Sequence, residues 1–325
     1  MDREDIYFLP NHLPIWQKPR PPLYSRKMKD PRIKHNLDAT TYHNANGVNA
    51  SSFQYIDPER DGCPEIWRAE SAGEGEPRKE TAAMSMGTAL HSYVLEPEEF
   101  KKEFVIVDDD LKAELYSQAI DSGSKAKAFS RSLATFKAWE TQQKEEGRRV
   151  LTEEEMEMVK GLSKAALSVP RMDAFLKCPE LETELSIFAE LKDLNGNKVE
   201  CKGRLDALIP GKGICDLKTT VNTSPVKLGK FIANYKSYVQ AAFYLDLAKE
   251  VGLADDSTTF SWCFIQKQRP HMATYYTAAD DLVKLGRLEY KGFLGWIHNG
   301  RETGNWPHHS ADVELPGWLL AQLEF

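Results

Sequence analysis

The sequence lacks paired cysteines: Cys63, Cys178, Cys201, Cys215 and Cys263 stand singly, with no CxxC among them. That spacing offers neither a zinc ribbon nor a disulfide framework. Long apolar runs are missing too; nothing approaches the roughly 18 residues of a membrane span. The opening MDREDIYFLP has no basic start and no apolar core, so no secretory signal is expected and the protein reads as cytoplasmic. There is no GxxxxGKS or GxxxxGKT phosphate loop, so ATP use is not expected. Nor is there an excess of positive charge: 42 Lys and Arg face 49 Asp and Glu, a formal charge of −7. Indiscriminate DNA binding rests on phosphate neutralisation and is disfavoured by that balance. A cationic channel on an acidic whole remains compatible with it.

What is present suits a globular chain. Of 325 residues, 41% are apolar and 28% charged, enough to bury a sizeable core in one large domain or two small ones. Residues 1–48 are rich in Pro and in Lys and Arg, including Lys18, Arg20, Arg26, Lys27, Lys29, Arg32 and Lys34. They show no helical period and read as an extended basic arm, either DNA-contacting or a tail with incidental charge. The remainder, 49–325, is expected to form the main domain. NASSFQYID from Asn49 looks like a short helix capped by Ser51 or Ser52. Residues 71–80 read as a loop, and TAAMSMGTALHSYVLEPEEF reads as a helix ending near Pro97. Met86, Leu90, Tyr93 and Val94 recur at helical spacing and should face the core. His91 borders that stripe and, taken alone, reads as a buried core histidine. KEFVIVDD contains a short strand. Residues 110–177 read as helical, with Thr152 and Glu155 forming a capping-box pattern.

The densest chemistry lies in GRLDALIPGKGICDLKTT, at 203–220. Leu205, Ala207 and Ile209 alternate with Asp206 and Leu208, and PGKG supplies turn chemistry, so two strands fold back on one another. That turn brings Asp206 close to Asp216, and period two puts Asp216 and Lys218 on one face. Two carboxylates and an ammonium are thus expected to converge at a sheet edge. Such a cluster suits Mg²⁺, which takes oxygen ligands, and a lysine able to orient a water and offset phosphate charge. ETELSIFAEL, with a hairpin turn at LNGN, precedes this pair as a further strand. A long helix starts near Ser237 and carries Gln240 and Tyr244 one turn apart on a shared face. STTFSWCFIQK and HMATYYT read as the last strands and DDLVKLGRLEYKGFLGWIHNG as a closing helix. His308 and His309, in an irregular tail, read as surface.

Taken in order, GTALH (87–91) with LEPEEF (95–100), ELSIF (184–188), GRLD (203–206), DLKTT (216–220) and YVQAAFY (238–244) resemble the PD-(D/E)XK nuclease superfamily. Within it the chain is similar to RecE-type exonucleases and, more distantly, to the RecB nuclease domain and lambda exonuclease. The resemblance implies an α/β fold with a mixed central sheet flanked by helices, a helical insertion and an N-terminal arm. It implies Mg²⁺-dependent 5′→3′ digestion of double-stranded DNA, with Mn²⁺ as a substitute, leaving 3′ single-stranded tails for recombination by single-strand annealing. A RecT-like annealing partner, a phage or prophage origin and a ring-shaped homo-oligomer, tetramer over trimer, come with it. An iron–sulfur cluster, present in some relatives, is not expected, because only Cys263 follows the motifs. By family position, Asp206, Asp216 and the Leu217 carbonyl would hold metal, with His91 on the Asp206 side. Lys218 would position water, Glu184 would act through water, and Gln240 and Tyr244 would orient these groups or the DNA. Two alternatives are a sequence-specific endonuclease of the same superfamily and a non-catalytic DNA-binding recombination scaffold. The first lacks the GTALH helix, and the second would be expected to have lost Asp206, Asp216 or Lys218.

Overall fold

A computed structural model describes residues 30, 32–76 and 82–309, with side chains from residue 85 onward in the last segment. Most of the expected basic arm, residues 1–29 and 31, lies outside the described residues, as does the tail from 310 and the stretch 77–81 of the expected loop and helix start. The chain begins with strand β1 (Ile33–Lys34), helix α1 (Ala39–Asn44), a 3-10 turn over Ala50–Tyr55 and helix α2 (Pro64–Ser71). Helices α3 (Ala82–Leu95) and α4 (Pro97–Glu103) follow, with Pro97 at the start of α4, where its missing N–H costs nothing. Next come β2 (Phe104–Val107), α5 (Asp109–Asp121), α6 (Ala134–Glu145), β3 (Arg149–Thr152), α7 (Glu153–Leu167) and α8 (Pro170–Leu176). The remaining elements are β4 (Glu182–Lys192), β5 (Lys198–Ile209), β6 (Gly213–Thr220), α9 (Pro225–Asn234), α10 (Ser237–Glu250), β7 (Thr259–Gln266), β8 (Ala273–Thr277) and α11 (Asp280–Thr303).

Six strands make one mixed sheet in the order β1-β4-β5-β6-β7-β8. Only β6 and β7 run parallel, and α9 and α10 form the crossover between them, as a parallel pair requires. The hairpin joining β4 to β5 is set by Asp193, whose Oδ1 accepts the Asn195 and Asn197 N–H groups at 2.8 Å each. Apolar layers cover both faces. One packs Leu185, Ile187, Ile214, Trp262 and Phe264 against α10 and α11. The other packs Ala207, Ile209, Cys215, Leu217 and Ile265 against α3, α7 and α8. The expected Thr152–Glu155 capping box is formed, with N···O distances of 2.8 and 3.1 Å, and it opens α7.

Four expectations need correction. The Asp206–Asp216 region is not at a sheet edge, because β5 and β6 are interior strands. Residues 33–48, expected within the extended arm, pack onto the sheet: Ile33 pairs with Ile187, Val48 bridges Cys201, and Ile33, Tyr42 and Val48 are buried. The 3-10 turn is capped by Asn49, not Ser51 or Ser52, because its side-chain amide oxygen reaches the Ser52 N–H at 2.9 Å. Residues 110–177 are not helical throughout, since β3 pairs in parallel with β2 and no helix spans 122–133. This insertion closes on its own small core of Val107, Leu115, Ala119, Leu133 and Phe136.

Helix α11 lies close on α10, and Gly286 sets how close. A Cβ there would stand 2.3 Å from the Tyr238 carbonyl oxygen, whereas a Cβ at Gly292 on the same helix meets nothing within 4 Å. Gly286→Ala is expected to destabilise the protein by about 2 kcal/mol through overpacking. Gly292→Ala should be neutral or stabilising by up to about 1 kcal/mol, the helix-propensity difference. Urea unfolding of both variants measures the contrast.

Candidate active site

Three adjacent strands place a carboxylate at the same level. The β4–β5 register pairs Thr183 with Ala207 and Leu185 with Leu205, so Glu184 stands opposite Asp206. The β5–β6 ladder ends at Ala207 with Cys215, one step short of Asp206 and Asp216. Pairing lapses on both sides of Asp206, where like charges directly opposed are destabilising. Glu184 takes a left-handed φ of +46°, a conformation that costs a non-glycine residue about 1–3 kcal/mol. The inward face of β5 changes phase at this level: Leu205 packs on the α10 side and Ala207 on the α3 side. Strict alternation through Leu205, Ala207 and Ile209 is therefore not observed, because the lapse at Asp206 interrupts it.

Backbone and side chains from both faces close around the row. The Leu217 N–H donates to Asp206 Oδ2 at 2.9 Å. His91, from α3, contacts the Leu217 carbonyl through Nε2 at 2.8 Å, so that nitrogen carries a proton. Its Nδ1 then lies 3.4 Å from Asp206 Oδ2. From the opposite face, α10 brings Gln240, whose Nε2 donates to Asp216 Oδ1 at 3.0 Å. Lys218 Nζ stands 2.7 Å from Asp216 Oδ2, confirming their common face. That contact is an ion pair without hydrogen-bond geometry, and the buried Oδ2 accepts no hydrogen bond. Tyr244, one turn beyond Gln240, packs over Gly203, and burial raises its phenol well above the usual range.

The electrostatics follow from burial and crowding. Glu184 is pushed well above the carboxylate range by desolvation first, then by the charges of Asp206 and Glu96. Asp206 is raised by desolvation, with His91 opposing and Asp216 adding to the shift. Ligand atoms of His91, Glu184 and Asp206 all lie within 4.8 Å of one another. Carboxylates that are buried or partly buried, an imidazole and a backbone carbonyl form an oxygen-rich donor set that fits a hard divalent cation. Glu184 lies next to His91 and Asp206, within reach of a cation held between them. The expected site residues Glu184, Asp206, Asp216, Leu217, Lys218, His91, Gln240 and Tyr244 come together; His308 and His309, read as surface, are exposed.

Sequence reading missed two charged neighbours. Glu96 is half-buried, its carboxyl raised by desolvation and by Glu103, and it adds to the charge that Glu184 feels. Arg204 opposes both. It is fixed over the Tyr42 ring at 4.5 Å and donates to Ser186 Oγ at 3.1 Å and to the Leu37 carbonyl at 2.5 Å. Both residues sit inside the motifs LEPEEF and GRLD, whose neighbouring charges left no local signal to single them out.

A raised carboxyl makes metal-free stability depend on pH. Between the unfolded carboxyl pKa, about 4, and the raised native one, the folded state holds the proton and the unfolded state does not, so stability falls as pH rises. Thermal unfolding in EDTA is expected to show a melting temperature that declines from pH 5 to pH 8. Glu184→Gln should flatten that decline, and added Mn²⁺ should raise the native protein's melting temperature more at pH 8 than at pH 5.

The family described as a PDDEXK-like domain of unknown function (DUF3799) matches residues 50–316. No curated protein matches the chain. Among solved structures, a candidate exonuclease from Eubacterium rectale aligns over 89% of this chain and 98% of its own at 12% identity and a TM-score of 0.52, a likeness of fold. The crystal structure of SSO0001 aligns over 64% of this chain and 86% of its own at 16% identity and a TM-score of 0.25. The family match contains the whole carboxylate row with Lys218 and both helices that close on it, and the chain belongs to the PDDEXK-like family, with a nuclease fold.

Proposed function

We propose that the protein is a divalent-metal-dependent exodeoxyribonuclease that digests double-stranded DNA 5′→3′ and leaves 3′ tails for single-strand annealing. The observation that carries the hydrolytic part is the row Glu184–Asp206–Asp216 with Lys218 on Asp216 Oδ2. Polarity, the annealing partner of RecT type and a ring-shaped homo-oligomer, tetramer favoured, rest on the motif resemblance. Mg²⁺ is the proposed ion, with Mn²⁺ as a substitute, and a bacterial cytoplasm is the proposed setting.

Glu184, Asp206, Asp216 and the Leu217 carbonyl are the proposed holders of the ion, with His91 on the Asp206 side. When bound, a divalent cation polarises a phosphoryl oxygen and makes water a stronger nucleophile. Lys218, whose ammonium stands 2.7 Å from Asp216 Oδ2, would orient the attacking water and offset charge on a phosphate oxygen. Gln240 fixes Asp216 from the far side, keeping the carboxylate plane set for Lys218. Protonated Glu184 would release its proton as the site fills, since ligation needs the carboxylate.

Linear and covalently closed circular duplexes, each with Mg²⁺ or EDTA, separate the readings. An exonuclease degrades only the linear DNA and only with metal; cutting of the circle indicates an endonuclease, and binding without cleavage indicates a scaffold. Asp216→Ala and Lys218→Ala are each expected to lower the rate by more than a hundredfold while the melting temperature stays within a few degrees. His91→Ala should raise the Mg²⁺ requirement and lower the rate far more than the melting temperature. A protein that melts early but keeps full activity in its folded fraction would make His91 a core residue instead.

A further inference from the structure

Beside Lys218 a cavity of about 260 Å³ opens, walled by Phe53, Gln54, Tyr235 and Gln240. It is smaller than the ~300 Å³ at which ordinary ligand pockets begin, so it suits one planar group rather than a length of chain. Tyr235, which caps the C-terminus of α9, is 59% exposed. Its ring is nevertheless braced: its centroid lies 4.5 Å from that of Phe231, which meets the fully buried Phe264 of β7 edge-on at 5.5 Å. A large ring held open to water by a relay into the core is an apolar surface kept for a partner. Helix α9 contains no acidic residue and carries Lys227 and Lys230, both exposed, and among the described residues neither joins an ion pair. An aromatic face flanked by unpaired cations is how proteins grip single-stranded nucleic acid: bases stack on the ring, and cations follow the phosphates.

We propose that Tyr235 stacks on the base of the terminal nucleotide of the strand being cut, with Lys227 and Lys230 contacting the adjoining phosphates. The inference rests on the nuclease reading and adds how the site selects a strand end. A base inside a duplex has both faces covered by its neighbours, whereas a terminal base frays at little cost and offers one. Tyr235 is then a positioning residue: it holds the end nucleotide beside Lys218, so that internal phosphates are presented poorly.

The test uses full-length protein. Lys218→Ala protein in Ca²⁺ is mixed with duplex DNA carrying 2-aminopurine either at the 5′ terminus or ten nucleotides inward. Terminal fluorescence should be quenched on binding and internal fluorescence unchanged. Adding Tyr235→Ala should abolish the quench and weaken binding about tenfold, and Tyr235→Phe should preserve both. In the active background, Tyr235→Ala should raise KM about tenfold with kcat within about twofold. Equal quenching at both positions, or a quench and KM unchanged by Tyr235→Ala, overturns the stacking role while leaving the nuclease reading intact. A changed oligomer mass in Tyr235→Ala with an unchanged quench would assign this face to another copy of the chain and also overturn it. Absence of metal-dependent cleavage by the native protein overturns the nuclease reading itself.

Discussion

Mutual repulsion among buried carboxylates is the constraint around which this structure is arranged. Glu184, Asp206 and Asp216 sit at one level of three neighbouring strands, where an uninterrupted ladder would bring like charges within ordinary cross-strand distance. The sheet answers by giving up pairing there. Glu184 adopts a left-handed φ, β5 parts from β6, and the Leu217 N–H that continued pairing would have used goes to Asp206 instead. The Leu217 N–H thereby keeps an acceptor, and the Glu184 and Asp206 carboxylates meet His91 in one place.

The rest of the fold holds that opening in place. Two apolar layers clamp the sheet, and each sends one polar side chain inward: His91 from α3 and Gln240 from α10. The short stretch 33–48 contributes as well. Tyr42 lies under Arg204, and Lys202 is tied by its ammonium to the Tyr42, His43 and Ala45 carbonyls at 2.6–2.9 Å. Arg204, thus immobilised, is the cation that partly offsets Glu184 and Glu96. Local strain at Glu184 is held between the paired residues Thr183 and Leu185 on either side of it.

Much of this was legible in the sequence, for identifiable reasons. The turn residues at 210–213 and the alternation around them define the hairpin, and the hairpin sums place Asp206 level with Asp216. The Thr152–Glu155 box and the helical stripe at Met86 and Leu90 are local patterns and appear as expected. What local pattern could not carry is the phase change at Asp206, because alternation assumes an unbroken ladder and the break is caused by a residue on another strand, Glu184. The same holds for Arg204 and Tyr42, whose contact spans about 160 residues of chain and has no local signature. Strand β3 was hidden because four residues between two helices form a strand only once β2 lies alongside.

If the carboxylate row is a cation site that stays partly protonated until filled, the incoming ion must displace a proton. Titration calorimetry with Mn²⁺ at pH 7, in two buffers of different ionisation enthalpy, counts the protons released per ion bound. Such a site should show saturable binding with release of about one proton, the release lost in Glu184→Gln and the binding abolished in Asp206→Ala. Binding with no proton release, or binding that survives Asp206→Ala unchanged, would contradict it.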